Sequence, residues 1–238
     1  MTKTSTIEEK TRESRRLGAG PSAFLATQSV NEPGRDCPLC PRLKDYRDAN
    51  RLQHPHWFNA PVPAFGTADA RLLIVGLAPG LQGANRTGRP FTGDYAGDLL
   101  YGTLMEFGFA RGAYEARPDD GLSLLDCRIG NAVRCVPPLN KPTPAEINTC
   151  RTFLNATLDE MKNLRAIVML GRVSHESTIK ALGLRAAQAP FAHGAEMQTG
   201  SVRLFDSYHC SRYNTNTGRL TPQMFRDVFA RVREYLSD

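Results

Sequence analysis

Three stretches of the chain put polar side chains at or just past the end of an apolar run. The loop GLAPGLQGANRTGRPFTGD, residues 76–94, follows RLLIV and closes on Asp94; Asn131 ends CRIGN, and His209 follows VRLFDSY. A carboxylate and an imidazole can carry protons or steady charge, and an amide can both donate and accept. Taken singly, each has a plainer reading: Asp94 as a helix N-cap, Asn131 as a turn residue, His209 as a structural hydrogen-bonding group, and Phe91 within the loop as core. The loop's glycines suggest a phosphate cradle, yet it lacks a G-K-[ST] ending and no G-x-G-x-x-G opens a helix.

The chain also carries six cysteines. In an intracellular protein these are better ligands or small buried hydrophobes than disulfides. Cys37 and Cys40 form CPLC, and Cys135 and Cys150 enclose fourteen residues. A zinc ribbon would want a second C-x-x-C, so spacing alone leaves zinc, an iron–sulfur cluster and no metal all open. Cys127 lies inside an apolar run and reads as core. His54 and His56 are near CPLC in sequence and are candidate ligands; His175 and His193 receive no role.

Positioning these groups falls to a pattern that alternates strand and helix, which points to an α/β fold with a parallel sheet covered on both faces. Strands are predicted over 71–77, 124–133, 165–171 and 202–209. Helices are predicted over 96–108, from Thr143 with Pro144 and Glu146 completing a capping box, from the end of the third strand to about 182, and from the second Thr-Pro at 221. Residues 1–30 read as a mobile polar tail and 31–238 as one domain, with an irregular segment over 31–70. In open parallel sheets ligands gather at the carboxyl ends of strands, which brings the 76–94 loop, Asn131 and His209 to one edge.

The formal net charge is +6, and 24 Arg against 6 Lys favour the planar fork that grips phosphate with two hydrogen bonds. A polyanionic partner fits that bias, as does an Arg-rich proteome, because net charge speaks to non-specific binding and not to fold. No apolar run approaches a membrane span and the first twenty residues lack the apolar region of a signal peptide. A soluble, cytoplasmic, nucleoid-associated monomer without membrane contact is expected.

Three long stretches carry a resemblance. GLAPGLQGANRTGRPFTGDYAG, NAVRC and SYHCSRYNTNTGRLT resemble the three motifs of the family 5, or type b, uracil-DNA glycosylases. PVPAFG ahead of the first strand and the spacing of Cys37, Cys40, Cys135 and Cys150 fit the same family, over residues 36–236. The resemblance implies an α/β three-layer sandwich whose central four-stranded parallel sheet is flanked by helices. It also implies a structural 4Fe-4S cluster on the four cysteines, pinning the 31–70 segment to the domain, and no catalytic metal. The implied partner is DNA containing uracil or another deaminated base, such as hypoxanthine or xanthine. The implied activity is monofunctional hydrolysis of the N-glycosidic bond in base excision repair.

A base inside a duplex must be flipped out before its sugar carbon can be attacked. On the resemblance, Phe91 stacks on the flipped base, Asn131 reads its edge, and Gly76, Ala78 and Gly80, with Gly83, let the backbone approach. Asp94 stabilises the oxocarbenium-like cation and orients water, while His209 donates to the leaving base. The first turn itself offers only Leu77, Ala78 and Gly80, none of them acidic. Asn85, Arg86 and Arg89 contact phosphate or brace the loop; Ser211, Arg212, Asn214 and Thr215 grip the DNA backbone or enter the gap left by the base. Cys210 stands where proline is common in the superfamily and Gly80 where many members have alanine, departures that bear on substrate breadth.

Two readings of other kinds compete. A non-catalytic zinc protein that binds nucleic acid explains charge and cysteines but leaves Asp94 and His209 without a task. A thiol hydrolase pairing Cys210 with His209 is disfavoured because neighbours on an extended chain face opposite ways.

Overall fold

The structure, a computed structural model, describes residues 32–238, so the expected tail over 1–30 lies outside the described residues. The chain enters through α1 (Pro41–Gln53), which starts on a proline and buries Leu43, Arg47 and Asn50 at helical spacing. The 31–70 segment, expected to be irregular, therefore contains a helix. Two of the three residues on its buried face are polar, which hides the apolar period on which the expectation rested.

Next come β1 (Leu72–Gly76), α2 (Ala84–Thr87), α3 (Tyr95–Glu106), β2 (Ala110–Arg111), β3 (Ser123–Leu124) and β4 (Cys127–Asn131). After a 3-10 turn at Pro138–Asn140 follow α4 (Pro144–Glu160), β5 (Ala166–Leu170), α5 (Arg172–Ala181), β6 (Glu196–Thr199), β7 (Val202–Ser207), α6 (Arg212–Asn216) and α7 (Pro222–Ser237). β2 and β3 form a separate antiparallel hairpin. Helix α4 opens on the expected capping box: the Glu146 amide donates to the Thr143 hydroxyl at 3.3 Å and the Thr143 amide to the Glu146 carboxylate at 2.7 Å.

The main sheet runs β4-β1-β5-β7-β6, its first four strands parallel and β6 antiparallel to β7. The four predicted strands are present, and β6 adds a fifth that makes the sheet mixed. Its sequence, EMQT, alternates exposed and half-buried positions and never forms an apolar run. The two-residue link Gly200-Ser201, with Gly200 at a φ of +54°, pairs Thr199 with Val202 as a tight hairpin.

Side chains alternate across β1. Leu72 and Ile74 pack with Leu100 and Leu104 of α3 and Phe225 and Phe229 of α7; Leu73 and Val75 pack with Leu154 of α4 and Ile179 of α5. That gives the three layers expected of a sheet with helices on both faces. Among the described residues, no helix is long and apolar enough to cross a membrane.

Candidate active site

The pairing of β1 with β4 ends with Gly76 opposite Asn131 and carries on one step, the Ala132 amide donating to the Gly76 carbonyl at 2.9 Å. The 76–94 loop thus leaves the sheet beside Asn131. A β-carbon on Gly76 would overlap the Asn131 Oδ1 and lie 2.6 Å from the Phe91 Cζ, so amide and ring meet over bare backbone. The Phe91 ring stacks beside that of His209, with centroids 6.0 Å apart and 26° between planes. His209 lies two residues beyond β7, and its carbonyl accepts from the Asn214 Nδ2 at 2.8 Å.

Phe91 has a φ of +52°, in the left-handed region that bulky residues avoid. Hydrogen bonds to the flanking carbonyls hold it there. The Tyr101 hydroxyl donates to the Pro90 carbonyl at 2.6 Å and the Tyr114 hydroxyl to the Phe91 carbonyl at 3.1 Å. Arg89 grips Asp120 with two bonds of 2.8 and 2.7 Å.

Asp94 closes the loop at the N-cap position of α3, but its side chain makes no capping hydrogen bond. A β-carbon on Gly80 would lie 2.9 Å from the Asp94 Oδ2 and one on Gly83 would overlap it, so the carboxyl occupies space those glycines leave. The other oxygen, Oδ1, is buried with no hydrogen-bond partner. Burial pushes the Asp94 pKa up, opposed in part by the amides at the start of α3. A buried polar atom left unpaired costs about 1–3 kcal/mol.

Burial pushes His209 down to about 4, so its imidazole is neutral at neutral pH and can donate from one ring nitrogen. The next residue, Cys210, is buried, and its thiol donates to the Ala96 carbonyl at 3.6 Å, tying the His209 segment to the first turn of the helix that Asp94 opens. Burial, then the Asp94 carboxylate, push that thiol up. A thiol held protonated and engaged with a carbonyl is no nucleophile, which removes the Cys210 hydrolase reading.

The remaining predicted positions divide by burial. Asn85 is buried and donates to the Asn59 side chain at 2.9 Å, and Arg89 is spent on Asp120; of the two roles open to them, these contacts are those of braces. Arg86 is exposed and donates to the Gln82 carbonyl. Ser211 caps α6, Thr215 bonds back to the Ser211 carbonyl, and Arg212 is exposed, its guanidinium carbon 5.4 Å from the Tyr95 ring centroid. Ala78 packs against the cluster of Leu43, Val133, Cys135 and Cys150, joining the loop to the cysteine segment.

Comparison with known proteins adds an independent line. The family model described as the uracil DNA glycosylase superfamily matches residues 63–233. A type-5 uracil-DNA glycosylase of Thermus thermophilus is 44% identical over 204 residues, covering 83% of this chain and 92% of that protein. The chain belongs to the type-5 uracil-DNA glycosylases. A further type-5 protein, from Pyrobaculum aerophilum, is 38% identical over 83% of this chain and 88% of its own length. A type-4 uracil-DNA glycosylase of the same organism is 31% identical over 67% of each. The protein is accordingly a hydrolase of the DNA-repair glycosylase kind.

In this glycosylase the iron–sulfur expectation is corrected. Cys37, Cys40, Cys135 and Cys150 all line one small cavity, of about 20 Å³, which is room for about one water. Among the described residues, however, no group of three or more His, Cys, Asp or Glu side chains is placed to hold a metal ion, and all six cysteines are free. Two of the sulfurs accept hydrogen bonds instead, from the Arg47 guanidinium at 3.5 Å and the Arg134 amide at 3.2 Å. Burial pushes Cys135 up to about 11 and Cys150 up to about 12. His54 stacks on Trp57, ring centroids 3.8 Å apart. Neither the 4Fe-4S cluster nor the zinc of the rival reading finds its ligand set here.

Sequence reasoning missed Tyr101, Tyr114, Asp120 and Asn59, which brace the loop. Tyr114 and Asp120 belong to YEARPDDG, a polar stretch that carries no local sign of burial.

Proposed function

We propose that the protein flips uracil, and other deaminated bases such as hypoxanthine and xanthine, out of DNA and hydrolyses the N-glycosidic bond to leave an abasic site. The observation that carries this reading is the convergence of the Asn131 amide and the Phe91 ring over the bare backbone of Gly76, with His209 stacked alongside. A flat, polar-edged base offers an aromatic ring a face to stack on and an amide an edge to pair with. Phe91 would recover part of the stacking lost on flipping, a few kcal/mol, and the Asn131 amide would pair with the base edge.

As the bond breaks, negative charge gathers on the base and positive charge on the sugar. His209, neutral because burial disfavours its cation, donates a hydrogen bond to the base oxygen and steadies the anion without surrendering a proton. Asp94 supplies the opposite charge, its carboxylate steadying the cation on the sugar and orienting the attacking water. Because water attacks, the product is an abasic site in an unbroken strand. Arg86 and Arg212, exposed on the loop and on α6, are the cations that reach for phosphate.

The test is base release from duplexes each carrying one lesion, comparing the natural protein with Asp94→Asn. Free base and an alkali-labile, unbroken strand are expected, with the variant slowed about 10²- to 10⁴-fold while still binding DNA. Equal turnover by the variant would remove Asp94 from its role.

A further inference from the structure

We infer that Tyr114 is a positioning residue for base release, fixing the Phe91 ring at the base slot through the Phe91 carbonyl, with the Arg89–Asp120 pair holding Tyr114 in place. The inference rests on the stacking role proposed for Phe91. Its physical basis is the pair of phenols on successive carbonyls, Tyr101 on Pro90 and Tyr114 on Phe91. Fixing the two peptide planes that flank Phe91 sets both of its backbone dihedrals, and so the direction in which its side chain leaves the chain. A residue at φ +52° needs such over-determination, since its own preference is to relax to negative φ.

Gly97 supplies a second, separate observation. It lies in the first turn of α3, where glycine costs about 1 kcal/mol relative to alanine. A β-carbon there would overlap both the Phe91 carbonyl oxygen and the Tyr114 hydroxyl. The helix thus gives up stability to let these two groups meet. Burial pushes Tyr114 up to about 12, so it stays a phenol, and a donor, at any working pH.

Tyr114 is delivered by the excursion between β2 and β3, and Asp120 anchors that excursion. Its carboxylate accepts from the Glu115 amide at 3.0 Å and the Leu122 amide at 3.1 Å while pairing with Arg89 from the base loop. The Arg89 guanidinium carbon lies 5.4 Å from the Tyr101 ring centroid and 5.9 Å from that of Tyr114, so one buried cation touches both phenols.

The experiment is single-turnover base release from a uracil duplex with 2-aminopurine beside the uracil, for Tyr114→Phe, Phe91→Ala and the double variant, with DNA affinity measured alongside. Tyr114→Phe keeps the ring and its cation contact and removes one hydroxyl. It is expected to slow base release about tenfold, with a matching loss of flipping fluorescence and DNA affinity within about twofold. In the Phe91→Ala background the same substitution is expected to add less than about twofold. Gly97→Ala wedges a methyl against both the Phe91 carbonyl and the Tyr114 hydroxyl and is expected to slow the step at least as much. A natural rate for Tyr114→Phe while Phe91→Ala is slow, or full additivity in the double variant, would overturn the positioning role alone. A natural rate for Phe91→Ala would overturn the stacking reading first, and this inference with it.

Discussion

Replacing Asp120 with alanine strips the counter-charge from Arg89, whose side chain is 6% exposed against 0% for Asp120. The amides of Glu115 and Leu122 lose their acceptor at the same stroke. Breaking a buried pair by removing one partner costs about 3–5 kcal/mol, because a charge is left buried and alone. The rings of Phe65, Tyr101 and Tyr114, 5.3 to 5.9 Å from the guanidinium carbon, return part of that to Arg89 and bring the loss toward the lower end. About 3 kcal/mol at about 2–4 °C per kcal/mol lowers the melting temperature by about 6–12 °C. The pH dependence has a definite sign. Burial works against the Asp120 charge, but the Arg89 side chain and the two amides outweigh it and hold the carboxyl well below the usual carboxylate range. Stability from a depressed carboxylate is fully present above the unfolded pKa of about 3.9 and is lost progressively as pH falls from there through the folded value. Circular-dichroism melts of both proteins at pH 7, 5 and 3 are the assay. The gap is expected to be the same at pH 7 and 5 and to shrink only in stronger acid. A variant melting within about 2 °C of the natural protein at pH 7, or a gap already closing by pH 5, would refute the account of a buried, charged brace.

Two further outcomes follow from the site. In Gly76→Ala the new methyl meets the ends of the Asn131 and Phe91 side chains first and displaces them, so base release is expected to fall about a hundredfold; a single-turnover rate within threefold of the natural one, in a variant whose circular-dichroism spectrum shows it folded, would place the base elsewhere. Burial raises Asp94, so the acid limb of base release is expected above the ordinary carboxylate value of about 3.9, with activity rising as the pH climbs through it; a limb below that value in a pH–rate profile would exclude Asp94 as the required carboxylate.

What could be read from the sequence, and what could not, divides by the range of the physics involved. The parallel strands were legible because burial on both faces demands apolar runs such as LLIV, and α4 because Thr143, Pro144 and Glu146 state a helix start within four residues. Strand β6 and helix α1 were not, since an edge strand and a helix whose buried face is two-thirds polar need no such pattern. The same division runs through the site. Gly76, Phe91, Asp94, Asn131 and His209 stand in the three stretches that carry the family resemblance, so a motif could point to them as candidates. The groups that hold them lie far along the chain: Asp120 is 31 residues from Arg89 and Tyr114 is 23 from Phe91. Any hydroxyl could serve a carbonyl and any carboxylate an arginine, so nothing local marks Tyr114 or Asp120 before the chain folds. The cysteines show the converse: their spacing was legible and their lining of one cavity agrees with it, but spacing cannot state whether four sulfurs face a common point. Residue types that must touch a substrate are constrained by the substrate, whereas those that hold the site are constrained only by each other, and that constraint exists only in three dimensions.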